Sequence, residues 1–343
     1  MFTVFNQYPT FLVFLAVVFA MVVTMVLTPL WIKFLKSSHI GQQVRADGPE
    51  SHLVKQGTPT MGGVIMLAGV VITVALFAKW TPDLILAVLA MLVTGSLGLL
   101  DDIESVAHKR SLGLTPSQKM AGLITISVVF CLAAVNWVGI DAVVRFPGGA
   151  AIDLGVLTTT LPIAGGIQIP WLYLVFVFFL MAGLSNSVNL TDGLDGLAGG
   201  CVMVVMLMMA MVAYRYDEIN LAIFAASIAG ACVGFLWHNC NPASIFMGDT
   251  GSLALGAALA ALAILTKTEI TSLIMGGLFV CEALSVIIQV ASFKTTGKRV
   301  FLMSPIHHHF EKKGWAENKV VTRFWIVSAA FATLGFALYF QLG

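Results

Sequence analysis

Five carboxylates stand in unusual company along this chain: Asp101, Asp102, Asp192, Asp195 and Asp249. Each borders a long apolar run and has glycine or hydroxyl residues close by, as in Gly98-Leu99-Leu100-Asp101-Asp102 and Phe246-Met247-Gly248-Asp249-Thr250-Gly251-Ser252. Acids at the rim of a hydrophobic slab are costly, and function is the default reason for them. Adjacent acids and Gly-Asp turns suit Mg2+, which takes one or two carboxylates and completes its octahedron with water and phosphate oxygens. Two plainer readings stay open. Asp249 or Thr250 fits a helix cap, and Asp101-Asp102 fits a pair of solvated acids at a helix end.

Other polar groups gather in the same manner. Between Ser185 and Gly200 (SNSVNLTDGLDGLAGG), Asn186, Asn189, Asp192 and Asp195 recur at every third position. On a helical turn that spacing presents a row of oxygens to one ligand. His307, His308 and His309 are consecutive, which rarely lets three imidazoles converge on one metal. Beside Lys312 and Lys313 they suit contact with diphosphate oxygens or proton transfer. The stretch from Lys55 to Gly63 (KQGTPTMGG) suits phosphate or sugar groups with Lys55 as a point charge, and equally suits a loop entering a helix near Pro59. Glu282, Ser285 and Gln289 stand at i, i+3 and i+7, so one helix face looks toward a polar interior.

What positions these groups follows from composition. The chain has 343 residues, 59% apolar and 10% charged, with a mean hydropathy of +0.95 and a net charge of +1. Soluble domains carry roughly 25% charged residues, so the chain is an all-α polytopic membrane protein. A span needs about 20 mostly apolar residues. Ten stretches qualify, near 11–32, 60–78, 84–100, 120–138, 170–184, 198–213, 219–237, 251–266, 270–292 and 321–341. They form a single domain over 1–343. The first lacks both a basic leader and a small-residue cleavage site, so it reads as an uncleaved span. The five cysteines include no CxxC pair and read as small buried hydrophobes. The stretch 139–169 reads as a small extracytoplasmic β-hairpin.

Basic residues favour one side. Lys33, Lys36, Arg45, Lys55, Lys109, Arg110, Lys119, Lys294, Lys298, Arg299, Lys312, Lys313, Lys319 and Arg323, 14 of the 18, belong to odd-numbered connections or their flanks. The positive-inside rule puts those connections in the cytoplasm, and with them all five acids. Ten spans then leave both termini outside. Acids gathered at one face, with Lys and His groups fit for phosphate, are the equipment of phosphoryl transfer from a soluble donor to a lipid acceptor. A cation-coupled transporter is the rival, but its acids belong near the midplane on broken spans. A purely structural scaffold leaves the acids unexplained.

Five motifs in order carry a resemblance: GTPTMGG (57–63), Asp101-Asp102, NLTDGLDGLA (189–198), FMGDTGSL (246–253) and SPIHHHFEKKGW (304–315). At these residues the chain resembles the polyprenyl-phosphate N-acetylhexosamine-1-phosphate transferases, from the first loop to the last. The histidine motif separates it from relatives that use N-acetylglucosamine donors. The resemblance implies a ten-span homodimer in the bacterial cytoplasmic (inner) membrane, with a cleft open to the cytoplasm. It implies UDP-N-acetylmuramoyl-pentapeptide as donor and undecaprenyl phosphate as acceptor, with lipid I of peptidoglycan synthesis and UMP as products. No nucleic-acid partner is implied. Asp249 matches the family's Mg2+-binding acid and Asp101-Asp102 its catalytic pair. Asp192 and Phe246 match uracil-holding positions, with Lys55, Asn189 and Asn239 nearby in the nucleoside site. Asp195 and His307–His309 match further activity-critical positions, and Lys119 a basic residue after the pair. Gln289 is assigned with them to the donor site. One place departs from the family pattern: the basic residue that many members carry three after the pair is Ser105 here.

Overall fold

The computed structural model describes residues 8–38, 57–108, 113–162 and 166–340. Proline opens three of its long helices: α1 (Pro9–Ser37), α3 (Pro82–Ala107) and α4 (Pro116–Ala133). At the first helical position a missing N–H costs nothing. Between them lies the short apolar α2 (Gly63–Phe77). The remaining long helices are α5 (Trp171–Thr191), α6 (Leu197–Arg215), α7 (Ile219–Asn239) and α8 (Gly248–Leu265). The short α9 (Glu269–Met275) runs into α10 (Gly277–Thr296). A seven-residue α11 (Ile306–Lys312) precedes α12 (Glu317–Tyr339). Among the described residues nine helices are long and apolar enough to cross a membrane, and α2, at 15 residues, is the tenth apolar segment. The chain is a multi-pass, all-α membrane protein.

Two boundaries depart from the span estimates. α3 continues to Ala107 and α5 to Thr191, both through polar sequence. In α5 three polar side chains bond back along the helix: Asn186 donates to Ala182 O, Ser187 to Gly183 O and Thr191 to Ser187 O. Such back-bonding lets polar residues remain helical. The region expected to hold one hairpin holds two. β1 (Val143–Arg145) pairs with β2 (Ala151–Asp153), and β3 (Thr158–Leu161) pairs with β4 (Ile167–Pro170). At the same end Lys267 Nζ bonds Asp141 O at 2.9 Å and Tyr173 Oη and Glu269 Oε1 at 3.1 Å. That network ties the hairpins to the ends of α5, α8 and α9.

The hub is α8. Its sequence, GDTGSLALGAALAALAIL, is mostly small residues, and it is buried nearly all round. Lipid supplies no hydrophobic drive between helices, so close approach of small-residue surfaces does the work. The long faces of α3 and α5 pack on it. Its N-terminus therefore meets the C-terminal ends of both, and this junction is the acid site.

Candidate active site

Asp101 and Asp102 are neighbours in sequence but face different helices, because successive helical residues diverge by about 100°. Asp102 faces α8. Its Oδ1 accepts from Asp249 N at 3.0 Å; its Oδ2 accepts from Thr250 N at 3.0 Å and Thr250 Oγ1 at 2.6 Å. A carboxylate there satisfies two orphan N–H groups of the helix start and meets the positive end of its dipole. The fit is close on both sides. A Cβ at Gly248, whose φ is +74°, would sit 2.5 Å from Asp102 Oδ2, and one at Gly98 would sit 2.2 Å from Asp249 O.

Asp101 faces α4. Its Oδ1 accepts from Leu114 N at 3.0 Å and lies 3.1 Å from Lys119 Nζ. The same ammonium donates to Asp249 Oδ2, and Asp249 Oδ1 accepts from Asn189 Nδ2 at 2.7 Å. Asn189 is itself steadied by Ser252 Oγ at 2.9 Å. Thus α3, α4, α5 and α8 each bring one side chain to a common point.

The row of polar groups after Ser185 divides where α5 ends. Asn186 bonds back into the helix and Asn189 turns to Asp249. Asp192, half-buried at the C-terminus of α5, has its carboxyl held well above the ordinary carboxylate range, first by burial and then by the charges of Asp249, Asp102 and Asp195. Asp195 turns away: its Oδ2 accepts from Asn241 Nδ2 at 3.1 Å and Ala243 N at 3.0 Å. The expected single row is therefore two groups at the acid centre, one bonded back into its helix and one bracing the loop between α7 and α8.

Two further site candidates are braces as well. Asn239 accepts from Gly196 N at 3.0 Å and donates to Ile245 O at 2.9 Å. Gln289 accepts from Val300 N and Phe301 N and donates to Phe301 O. Phe246, half-buried, is strapped by its backbone to the GTPTMGG segment: Phe246 N donates to Pro59 O at 2.8 Å, and Gly62 N to Phe246 O at 2.9 Å. Lys55 lies outside the described residues.

The three histidines have three environments. His307 is fully buried, with Nδ1 3.1 Å from Glu282 Oε1. His308 Nδ1 lies 2.6 Å from Glu311 Oε2. His309 Nδ1 accepts from Leu302 N at 3.1 Å, so that nitrogen carries no hydrogen. The polar face of α10 thus looks inward, toward the 300–312 segment. Sequence reasoning missed the pairing of Glu282 with His307, although an acid inside a span was the signal for it.

Among the described residues no group of three or more His, Cys, Asp or Glu side chains is gathered for a metal. Asp102 spends its oxygens on α8. Asp101 and Asp249 instead share one cationic point, now the Lys119 ammonium. One or two carboxylates around a cation position suit Mg2+, which relies on substrate phosphates and water rather than an all-protein cage.

Residues 84–267 match the model of glycosyl transferase family 4, and residues 55–67 match phospho-N-acetylmuramoyl-pentapeptide-transferase signature 1. The chain is 46% identical over 330 residues to the phospho-N-acetylmuramoyl-pentapeptide-transferase of Rubrobacter xylanophilus, covering 96% of this chain and 98% of the relative. It belongs to the phospho-N-acetylmuramoyl-pentapeptide transferase family. The enzyme of that name from Bacillus subtilis is 45% identical over 318 residues, covering 91% of this chain and 93% of the relative. That of Geobacillus sp. (strain WCH70) is 46% identical over 325 residues. The chain is accordingly a phosphoglycosyl transferase of peptidoglycan synthesis. The signature match falls on the segment strapped to Phe246, and the family 4 match spans the Asp101–Lys119–Asn189–Asp249 centre.

Proposed function

We propose that this chain, as one transferase domain, moves phospho-N-acetylmuramoyl-pentapeptide from its UDP-linked donor to undecaprenyl phosphate, giving lipid I and UMP. The observation that carries the reading is the meeting of Asp101, Lys119, Asn189 and Asp249 from four helices at one end of an apolar bundle. An acid centre at the end of the spans can be reached by a soluble nucleotide and by a lipid headgroup alike. The enzyme works as a homodimer in the cytoplasmic membrane, with this end in the cytoplasm and both termini outside.

The donor's nucleoside lies along Asp192 and Phe246, with Lys55 reaching its phosphates. Asp101, fixed by Leu114 N, orients the acceptor phosphate. An oxygen of that phosphate forms a bond to the donor's β-phosphorus, the bond to the oxygen bridging to the α-phosphorus breaks, and UMP leaves with that oxygen. Lys119 neutralises charge that builds on the reacting phosphates, and Asn189 fixes Asp249. Asp249 would hold Mg2+, which would supply further charge neutralisation on the diphosphate. His307 and His308, packed ring to ring at 4.1 Å, flank the donor from α11, and His309 follows on the same helix.

Purified protein should exchange labelled UMP into the UDP-linked donor only with lipid phosphate and Mg2+ present, and Asp249→Asn should abolish the exchange. Normal turnover by that variant would overturn the metal assignment. A labelled phospho-enzyme trapped with donor and no lipid would overturn direct attack.

A further inference from the structure

A carboxylate and an imidazole, both fully buried, face each other between α10 and α11. Glu282 Oε1 lies 3.1 Å from His307 Nδ1, and each residue is 0% exposed. A carboxylate accepts, so Nδ1 carries the hydrogen and Nε2 is left as the working nitrogen of the ring. That nitrogen has no partner among the described residues. It points at the backbone of Gly193, where a Cβ would come within 2.4 Å of it. Gly193 follows Asp192, in the turn that closes the acid centre between α5 and α6. Glu282 also keeps one oxygen, Oε2, buried and unpartnered. An acid inside a span that neither touches the acid centre nor is fully satisfied needs a role in the membrane.

We propose that Glu282 is a positioning residue for the transfer: it holds His307 by Nδ1 so that the ring edge at Nε2 stays packed on the Gly193 backbone and fixes the Asp192–Gly193 turn beside the acid centre. Glycine at 193 is part of the device, since any side chain would occupy the place of the ring edge. The His308 ring, tilted 58° against His307, and its own partner Glu311 close the other side. This rests on the phosphoglycosyl transfer described above.

The test uses full-length protein in lipid nanodiscs. Glu282→Ala should lower kcat by about 10- to 100-fold, the usual loss when the partner that orients a histidine is removed. Donor affinity, measured directly by binding, should weaken as well, because the same turn carries Asp192 of the nucleoside wall. Glu282→Gln keeps an acceptor for Nδ1 and should restore most of the rate. Glu282→Ala/His307→Ala should be no slower than His307→Ala alone, because the two act as one unit. A kcat for Glu282→Ala within about threefold of wild type, or losses that multiply in the double variant, overturns the proposal. Should Glu282→Ala fail to fold, 15N spectra of histidine-labelled wild type decide it. The resonance pair lost in His307→Gln should show a protonated Nδ1, and a bare Nδ1 overturns the proposal. Failure of the wild type to transfer would count instead against the functional reading, and the spectra would still report the ring.

Discussion

Asp102→Asn separates two roles for the second acid of the Asp101-Asp102 pair. In the structure Asp102 is spent on three donors at the start of α8: Asp249 N, Thr250 N and Thr250 Oγ1. An asparagine keeps one acceptor oxygen. If that oxygen serves Thr250, the amide NH2 points at Asp249 N–H, donor against donor. One buried N–H then goes unsatisfied, at about 1–3 kcal/mol, and the surviving bonds lose their charge assistance. The sum is a loss of about 2–4 kcal/mol in unfolding free energy. Thr250→Val, which removes only the hydroxyl donor, should cost about 1–2 kcal/mol. Turnover should fall in Asp102→Asn as well, because the bonded N–H is that of Asp249 itself. Asp101→Asn behaves differently: its turnover collapses while its unfolding free energy stays within about 1 kcal/mol of wild type. Denaturant unfolding in mixed micelles, beside the UMP exchange rate, reads both quantities. Wild-type stability in Asp102→Asn, with turnover lost, would refute the capping role and return Asp102 to the chemistry.

Asn189→Leu should slow exchange about 10- to 100-fold with little change in stability, since it frees Asp249 without removing it; an unchanged rate refutes the contact's importance. Lys267→Met breaks a largely buried ion pair at the far end, with Glu269 0% exposed, and should cost about 3–5 kcal/mol by unfolding while the activity per folded molecule survives. Asp192 gives a pH signature in the ligand-free protein. Its folded pKa is raised, so the native state binds the extra proton, and stability falls as pH climbs from the unfolded carboxylate value of about 4 through the raised one. Asp192→Asn should flatten that limb and stabilise the ligand-free protein at neutral pH, a result checked by melting curves across pH.

The bundle was legible because apolar length is a strong signal: nine of the ten stretches found one helix each, and the stretch at 270–292 is divided at Gly276 into α9 and α10. Helix ends were not. Asn186, Ser187 and Thr191 look like loop residues until their side chains are seen bonding back along α5. The residues of the acid centre were legible as types, since each is an acid, amide or cation at the rim of a span. Their partition was hidden. Adjacency suggested that Asp101 and Asp102 act together, and a spacing of three suggested that Asn189, Asp192 and Asp195 do. Helical rotation splits the first set, and the end of α5 splits the second. Glu282 and His307 are 25 residues apart, joined by a contact that no local pattern encodes.

Asp195, Asn239 and Gln289 bond to the loops that follow α7 and α10 and to the turn before α6, Asn239 and Gln289 through backbone groups and Asp195 through Asn241 Nδ2 and Ala243 N. Those loops are ordered at the time of folding, so a ligand arriving there need not fix them, a step that costs about 1–2 kcal/mol for each residue newly held. Binding to this wall should therefore reward a rigid molecule of the right shape more than a flexible one with more contacts. A substitution that loosens any of the three braces would weaken every ligand of the cleft together, whatever its chemistry.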